Sequence, residues 1–272
     1  MNPWTLVTIF AIAWCVFALL VAIICIPAPR GRDGSQAAFL GSILISTAWV
    51  YARIVHRIKV EGREHIPDRK WGARGGRGLL VVANHTAGID PVLLYAALPF
   101  EPRFVMGEDM RTPILEGLFT FGKMIYVDRE GNPSGAAVRE IIRELKEGGV
   151  IGLFPEGHIE RPPERVLPFR DGVGLFVRRT NALVLPIVID GTPQVDPAWD
   201  SLRRFSRSRL RILPTIDYSD SGLGAKEITE DLRSVILDAT GWPANESPPR
   251  VVDGRVLYED GVDALPAPRN TE

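Results

Sequence analysis

From about residue 60 to residue 240, short apolar runs alternate with segments of helical period, and few folds accommodate that alternation. The run Leu79-Leu80-Val81-Val82-Ala83 contains no polar residue and is bounded by turn-forming residues, so it reads as a strand buried on both faces. Residues 103–106, 124–127, 150–154, 184–189 and 210–216 read as further strands. Between them, residues 92–98, 113–121, 171–179 and 225–237 read as helices. Another helix opens at Asn132-Pro133, presents Val138, Ile141, Ile142 and Leu145 on one face, and stops at Gly148-Gly149. Asp90-Pro91 reads as an N-cap followed by proline at the first helical position. Strands joined through helices imply an α/β fold, a largely parallel sheet flanked by helices. Past Gly241 the chain turns Pro-rich, which reads as a loose tail with one short extended piece at 255–258.

The N-terminal part has a different character. Residues 4–26 carry no charge, and their only hydroxyls are Thr5 and Thr8. As a helix this stretch would be roughly 34 Å long, enough to cross a hydrocarbon core. A cleaved signal peptide is the weaker reading, because no Lys or Arg precedes the run and no small-x-small site follows it. Arg30 and Arg32 follow it, which places the C-terminal side in the cytoplasm. A second apolar segment, 37–58, is uncharged only as far as Ala52, and Arg53, His56, Arg57 and Lys59 cluster at its end. It reads as a helix lying at the membrane interface, with an amphipathic core helix as the alternative.

Composition excludes several functions. The formal net charge is -1, so the whole-chain balance points to no particular partner. The only cysteines, Cys15 and Cys25, lie in the apolar run, which leaves no disulfide framework or Cys-based metal site. The four histidines, His56, His65, His85 and His158, have no metal-binding spacing, and no metal or cofactor is expected.

Two places in the α/β region carry chemistry. Asn84-His85-Thr86-Ala87-Gly88-Ile89-Asp90 follows the strand at 79–83, and Phe154-Pro155-Glu156-Gly157 stands at the end of the apolar run at 150–154. In a parallel sheet, the loops at the strand ends gather the polar groups, so His85 and Glu156 are expected on one rim. A neutral imidazole is suited to taking a hydroxyl proton near neutral pH, and Asp90 can hold its other nitrogen. No GxSxG elbow is present, which favours direct transfer over a covalent intermediate. Taken singly, each feature also has a structural reading: a hydrogen-bonding loop histidine, a helix cap, a turn. Their joint occurrence in this order points to acyl transfer.

These residues carry a family resemblance. Asn84-His85 with Asp90 resembles the NHxxxxD motif of the 1-acyl-glycerol-3-phosphate (lysophosphatidic acid) acyltransferase family. Residues 122–129, ending Val127-Asp128-Arg129, are similar to its second block, Phe154-Pro155-Glu156-Gly157 to its third, and residues 184–189 with Gly191-Thr192 to its fourth. The resemblance implies a glycerolipid acyltransferase-like fold with His85 as general base and Asp90 as its partner. It implies acceptor binding by Arg129, Glu156 and Gly157, and extends the candidate substrate-binding set to Asn84, Phe154 and Pro155. It implies acyl-CoA or acyl carrier protein as co-substrate, a lysophospholipid acceptor and work among membrane lipids. On this reading the chain divides into a membrane helix and linker (1–35), an interfacial helix (36–59), an acyltransferase domain (60–240) and a Pro-rich tail (241–272).

Two positions depart from the family pattern. Ile159 stands where the third block usually has arginine, and Gly107 stands before Glu108 where the second block usually opens with lysine. Both cations would be natural phosphate ligands, and Arg161 or Arg165 is the nearby substitute. Another lyso-lipid or an amino-lipid acceptor therefore stays open beside lysophosphatidic acid, as does a silent membrane protein that binds a lipid or acyl carrier. Arg203, Arg204, Arg207, Arg209 and Arg211 form a basic run without acids, read either as a solvated edge or as a contact for anionic headgroups. Nucleic acid is disfavoured for an anchored, nearly neutral chain.

Overall fold

The structure, a computed structural model, describes residues 3–25, 36–68, 76–128, 135–159, 164–195, 198–246, 250–252 and 255–257. Two helices come first, α1 (Pro3–Cys25) and α2 (Gln36–Ile54). The α/β part then runs β1 (Lys59–Glu61), β2 (Leu79–Ala83), α3 (Asp90–Ala97), β3 (Arg103–Gly107), α4 (Glu116–Phe121), β4 (Ile125–Val127), α5 (Gly135–Lys146) and β5 (Val150–Leu153). It continues through α6 (Gly172–Thr180), β6 (Leu183–Asp190), β7 (Arg209–Ile212) and α7 (Ala225–Thr240), and a hairpin of β8 (Arg250–Val252) and β9 (Arg255–Leu257) follows.

Seven strands form one sheet in the order β1-β7-β6-β2-β5-β3-β4. Strands β6, β2, β5, β3 and β4 are mutually parallel. Strand β7 is antiparallel to β6, and β1 pairs parallel with β7, so one edge runs against the rest. The largely parallel α/β architecture read from the sequence is therefore present.

The five residues of β2 are all buried because the sheet is covered on both faces. Leu79, Val81 and Ala83 join one core with Leu93, Leu94 and Ala97 of α3, Leu185 and Ile187 of β6, and Ala52 of α2. Leu80 and Val82 point the other way, toward Ile141 and Leu145 of α5, Val173 and Val177 of α6, and Ile228 and Leu232 of α7. On α5, Ile141 and Leu145 are buried while Val138 and Ile142 are half-buried, as the helical spacing requires. Arg103 on β3 donates to Glu140 (2.6 Å) and Glu144 (2.9 Å), fastening the sheet to α5.

Several local readings need correction. Helix α3 begins at Asp90, with Ile89 as its N-cap, so Asp90 is not the cap. Residues 113–121 are a 3-10 turn, Pro113–Leu115, leading into the short α4. Strand β1 has no counterpart in the sequence reading. Past Gly241 the first residues are docked: Asn245 N donates to Val166 O (3.0 Å), and Glu246 pairs with Arg233 (2.9 Å). The linker at 27–35, Asn132-Pro133 and the end of the tail lie outside the described residues.

Helix α1 is 23 residues long and its sequence contains no charge. Among the described residues no helix qualifies as long and apolar enough to cross a membrane, and of α1 only the side chains of residue 5 and residues 8–18 are among them. Ala18 of α1 is buried, and α1 packs against α2. The last turns of α2 bury Ser46, Val50 and Ala52 and leave Trp49, Arg53 and Ile54 exposed. One side of this helix thus belongs to the domain core.

Candidate active site

The C-terminal ends of β2, β5 and β6 lie side by side and assemble the site. Asn84, directly after β2, is buried and turns both ends of its amide onto one residue at the end of β6. Its Nδ2 donates to Ile189 O (2.9 Å), and its Oδ1 accepts from Ile189 N (2.8 Å). This two-way bond extends the β2–β6 pairing by one side chain and fixes where the next residue leaves the sheet.

That residue is His85. Its backbone N–H donates to Glu156 Oε1 (2.8 Å), so the rims of β2 and β5 are joined as the sequence implied. The other carboxylate oxygen, Glu156 Oε2, accepts from Leu167 N (3.0 Å). Glu156 is only 4% exposed. It bridges the backbones of His85 and Leu167, an arrangement suited to holding the histidine in position.

The imidazole itself is held on two sides. Nδ1 lies 2.9 Å from Asp90 Oδ2. A carboxylate only accepts, so Nδ1 carries the hydrogen, and in the neutral ring Nε2 presents its lone pair. The ring stacks on Phe154, with centroids 4.2 Å apart and planes at 18°. Phe154 in turn stacks on Phe104 at 5.9 Å. Gly152 permits this column, since a Cβ there would lie 2.4 Å from the Phe104 ring. The His85 side chain keeps 18% exposure, which leaves it an opening to solvent or substrate.

Asp90 is fully buried and its charge is met locally. Besides the imidazole, Oδ2 accepts from Thr86 N (2.6 Å) and Ala87 N (2.9 Å), and the Thr86 hydroxyl donates to Oδ1 (3.1 Å). The loop thus wraps back around the first residue of α3. Thr86 Oγ1 also meets Thr192 Oγ1 at 2.7 Å, which brings in the residue after Gly191. The histidine–carboxylate pair with an outward Nε2 can accept a proton from a bound hydroxyl or amine.

The structure therefore brings Asn84, His85, Asp90, Phe154, Pro155, Glu156 and Gly157 together on one rim. Arg129 and Arg161 lie outside the described residues. Gly107 is buried at the end of β3 and Ile159 is half-buried, so neither supplies a cation. Three contributors were not read from the sequence. Thr86 and Thr192 lie inside recognised blocks, where their hydroxyls were the available signal. Arg170 is exposed, its N–H donates to Pro155 O (2.9 Å), and its Nη2 donates to His158 Nε2 (3.2 Å). It sets a guanidinium beside the Glu156-Gly157 turn.

Behind the site lies His56, expected among the surface cations but completely buried. Its Nε2 meets the Tyr51 hydroxyl (3.0 Å) and its Nδ1 the Ser206 hydroxyl (2.8 Å). Burial pushes the His56 pKa down to about 4, against a smaller upward pull from the Asp90 carboxylate. Neutral His56 is thus a structural strut between α2 and the segment before β7.

Comparison with known proteins follows the same region. Residues 57–190 match the family model described as Acyltransferase. N-acylphosphatidylethanolamine synthase of Arabidopsis thaliana is 28% identical over 134 residues, covering 45% of this chain and 47% of that protein. 1-acyl-sn-glycerol-3-phosphate acyltransferase of Borreliella burgdorferi is 28% identical over 141 residues, covering 50% of this chain and 52% of that protein. The chain spans about half the length of these curated relatives. The crystal structure of the 1-acyl-sn-glycerophosphate (LPA) acyltransferase PlsC from Thermotoga maritima superposes with a TM-score of 0.62 at 21% identity, over 88% of this chain and 91% of that one. That likeness establishes a shared fold.

Proposed function

We propose that this chain, which belongs to the acyltransferase family, moves a fatty acyl group from acyl-CoA or acyl carrier protein to the free hydroxyl of 1-acyl-glycerol-3-phosphate, giving phosphatidic acid. The observation that carries the reading is the His85–Asp90 pair at 2.9 Å, with Nε2 turned away from the carboxylate. In this reading His85 Nε2 takes the hydroxyl proton as the acceptor oxygen attacks the thioester carbonyl carbon. The carbon–sulfur bond then breaks, and the departing thiolate takes the proton back from the imidazolium. Asp90 stabilises the imidazolium while it exists. Asn84, Glu156 and Phe154 hold the histidine in place. The name of the bacterial relative supports the glycerophosphate acceptor.

The acceptor phosphate needs cations. Arg129 and Arg161 are the sequence candidates, and Arg170 is a third, placed beside Gly157. The reading also takes residues 4–26 as the membrane anchor, with the catalytic domain on the cytoplasmic side. Support comes from the uncharged sequence of α1 and from the basic residues after it.

A second acceptor is favoured by two observations: Ile159 and Gly107 replace expected cations, and another relative is named for N-acylation of phosphatidylethanolamine. The same base would then deprotonate an amine. The test is the purified chain with labelled acyl-CoA or acyl carrier protein and a panel of acceptors, with products identified by mass spectrometry. Phosphatidic acid formed from 1-acyl-glycerol-3-phosphate in preference to other acceptors supports the first reading. Preferential N-acyl product replaces it with the second.

A further inference from the structure

Five exposed arginines and two exposed apolar side chains share the surface where α2 ends. Arg53, Ile54 and Arg57 come from the end of α2 and the turn after it. Arg203, Arg204, Phe205 and Arg207 come from the stretch between the 3-10 helix Ala198–Arg203 and β7. Two backbone bonds join the segments, Ser206 N to Val55 O (3.1 Å) and Ser208 N to His56 O (2.9 Å). The Ser206 and Ser208 hydroxyls point inward, 2.8 Å from each other, with Ser206 also on buried His56. Phe205 and Arg207, on either side of Ser206, are exposed while Ser208 is buried.

Phe205 is 74% exposed and Ile54 is 51% exposed. Neither 53–57 nor 203–207 contains a carboxylate, and among the described residues none of the five arginines pairs with one. Arg53 lies over the Trp49 ring at 4.5 Å, adding a second aromatic. The basic run divides here. Arg209 and Arg211 face Glu61 and Asp190 at 4.0 Å, so they belong to the sheet edge. The surface is also tied to the site, because a Cβ on Gly88 would come within 2.6 Å of the Ala198 carbonyl oxygen.

We propose that this surface docks on an anionic bilayer, with Phe205 and Ile54 in the interfacial layer and Arg53, Arg57, Arg203, Arg204 and Arg207 against lipid phosphates. Apolar anchors interleaved with cations fit a bilayer interface, where rings sit at headgroup depth and cations meet the surface charge. A soluble polyanion would use the cations and leave Phe205 and Ile54 in water. The proposal stands apart from the chemistry at His85, and its test reads position, not turnover.

The full chain, with Cys15→Ala and Cys25→Ala, is reconstituted into phosphatidylcholine vesicles with and without phosphatidylglycerol. An environment-sensitive fluorophore is attached through Phe205→Cys, or through Asp220→Cys as an exposed control elsewhere. The label at 205 is expected to shift to an apolar environment and escape an aqueous quencher when phosphatidylglycerol is present, while the label at 220 stays in water. Each cation near an anionic surface contributes on the order of fivefold to partition, so R203A/R204A/R207A together should lower the docked-to-free ratio roughly a hundredfold. Those arginines carry no described ion pair, so the melting temperature of the variant should match the parent. A label at 205 that stays in water on anionic vesicles, or that is shielded only by added nucleic acid, overturns the proposal. So does equal shielding in the triple variant.

Discussion

Asp90 Oδ2 accepts from His85 Nδ1 at 2.9 Å and, at the same oxygen, from the backbone N–H groups of Thr86 and Ala87. One buried oxygen therefore sets both the path of the loop and the tautomer of the histidine. The chain between the two residues turns off the end of β2 and closes on the first residue of α3, so the pair is made by the strand-to-helix turn itself.

Asp90→Asn follows directly. An asparagine can keep its carbonyl toward the three donors and its amide toward the Thr86 hydroxyl, so the fold survives. The negative charge that stabilises an imidazolium is lost, and the rate should fall by roughly 10²–10⁴-fold. Stability should fall by about 1.5–3 kcal/mol, as charge-assisted bonds become neutral ones. Turnover and urea unfolding measured on one preparation check both numbers.

Glu156→Gln tests positioning against substrate contact. Both carboxylate oxygens accept backbone N–H groups, from His85 and Leu167, and a glutamine must turn a donor toward one of them. The expected result is a loss of about 1–3 kcal/mol of stability and a lower kcat with little change in acceptor KM. A selective rise in acceptor KM would make Glu156 a substrate ligand instead.

Arg170→Ala addresses the cation missing at Ile159. If the guanidinium beside His158 grips the acceptor phosphate, removing it should cost about 1.5–3 kcal/mol, roughly ten- to a hundredfold in acceptor KM. The acyl-donor KM should not move. Arg170→Lys should recover only part, because an ammonium lacks the planar fork. Steady-state kinetics with each substrate varied in turn decide this.

His56 predicts a pH dependence of stability. Its pKa is held near 4 in the fold against about 6.5 in the unfolded chain. Below the unfolded value the unfolded state binds a proton that the folded state refuses. Stability should be constant above about pH 6.5 and should fall as pH drops toward 4, by on the order of 1–3 kcal/mol. His56→Gln should flatten that slope. Urea midpoints of both proteins across this range provide the check.

How far the sequence revealed this arrangement depended on how local each relationship is. Strand β2 was legible because two covered faces demand an unbroken apolar run. Strand β1 was not, since Lys59-Val60-Glu61 is a three-residue edge with a single apolar side chain. Pro91 located the start of α3, but the same pattern suggested that Asp90 caps the helix. In the fold Ile89 takes that place, and the carboxylate serves the loop. His85 and Asp90 could be paired because only a strand-to-helix turn separates them. The work of Glu156 was hidden, because its partners come from 71 and 11 residues away. His56 looked like one cation among four. Its burial depends on Tyr51 and on Ser206, 150 residues further along the chain.

The central claim is that His85 Nε2 takes the acceptor proton. The most direct measurement is acyl transfer by purified His85→Ala to the best acceptor of the panel, with thermal melting recorded beside it. The account predicts a rate at least 10²-fold below wild type in a protein that melts normally, since the ring removed is a proton acceptor held by Asp90. A folded His85→Ala protein that transfers acyl groups at the wild-type rate would contradict it.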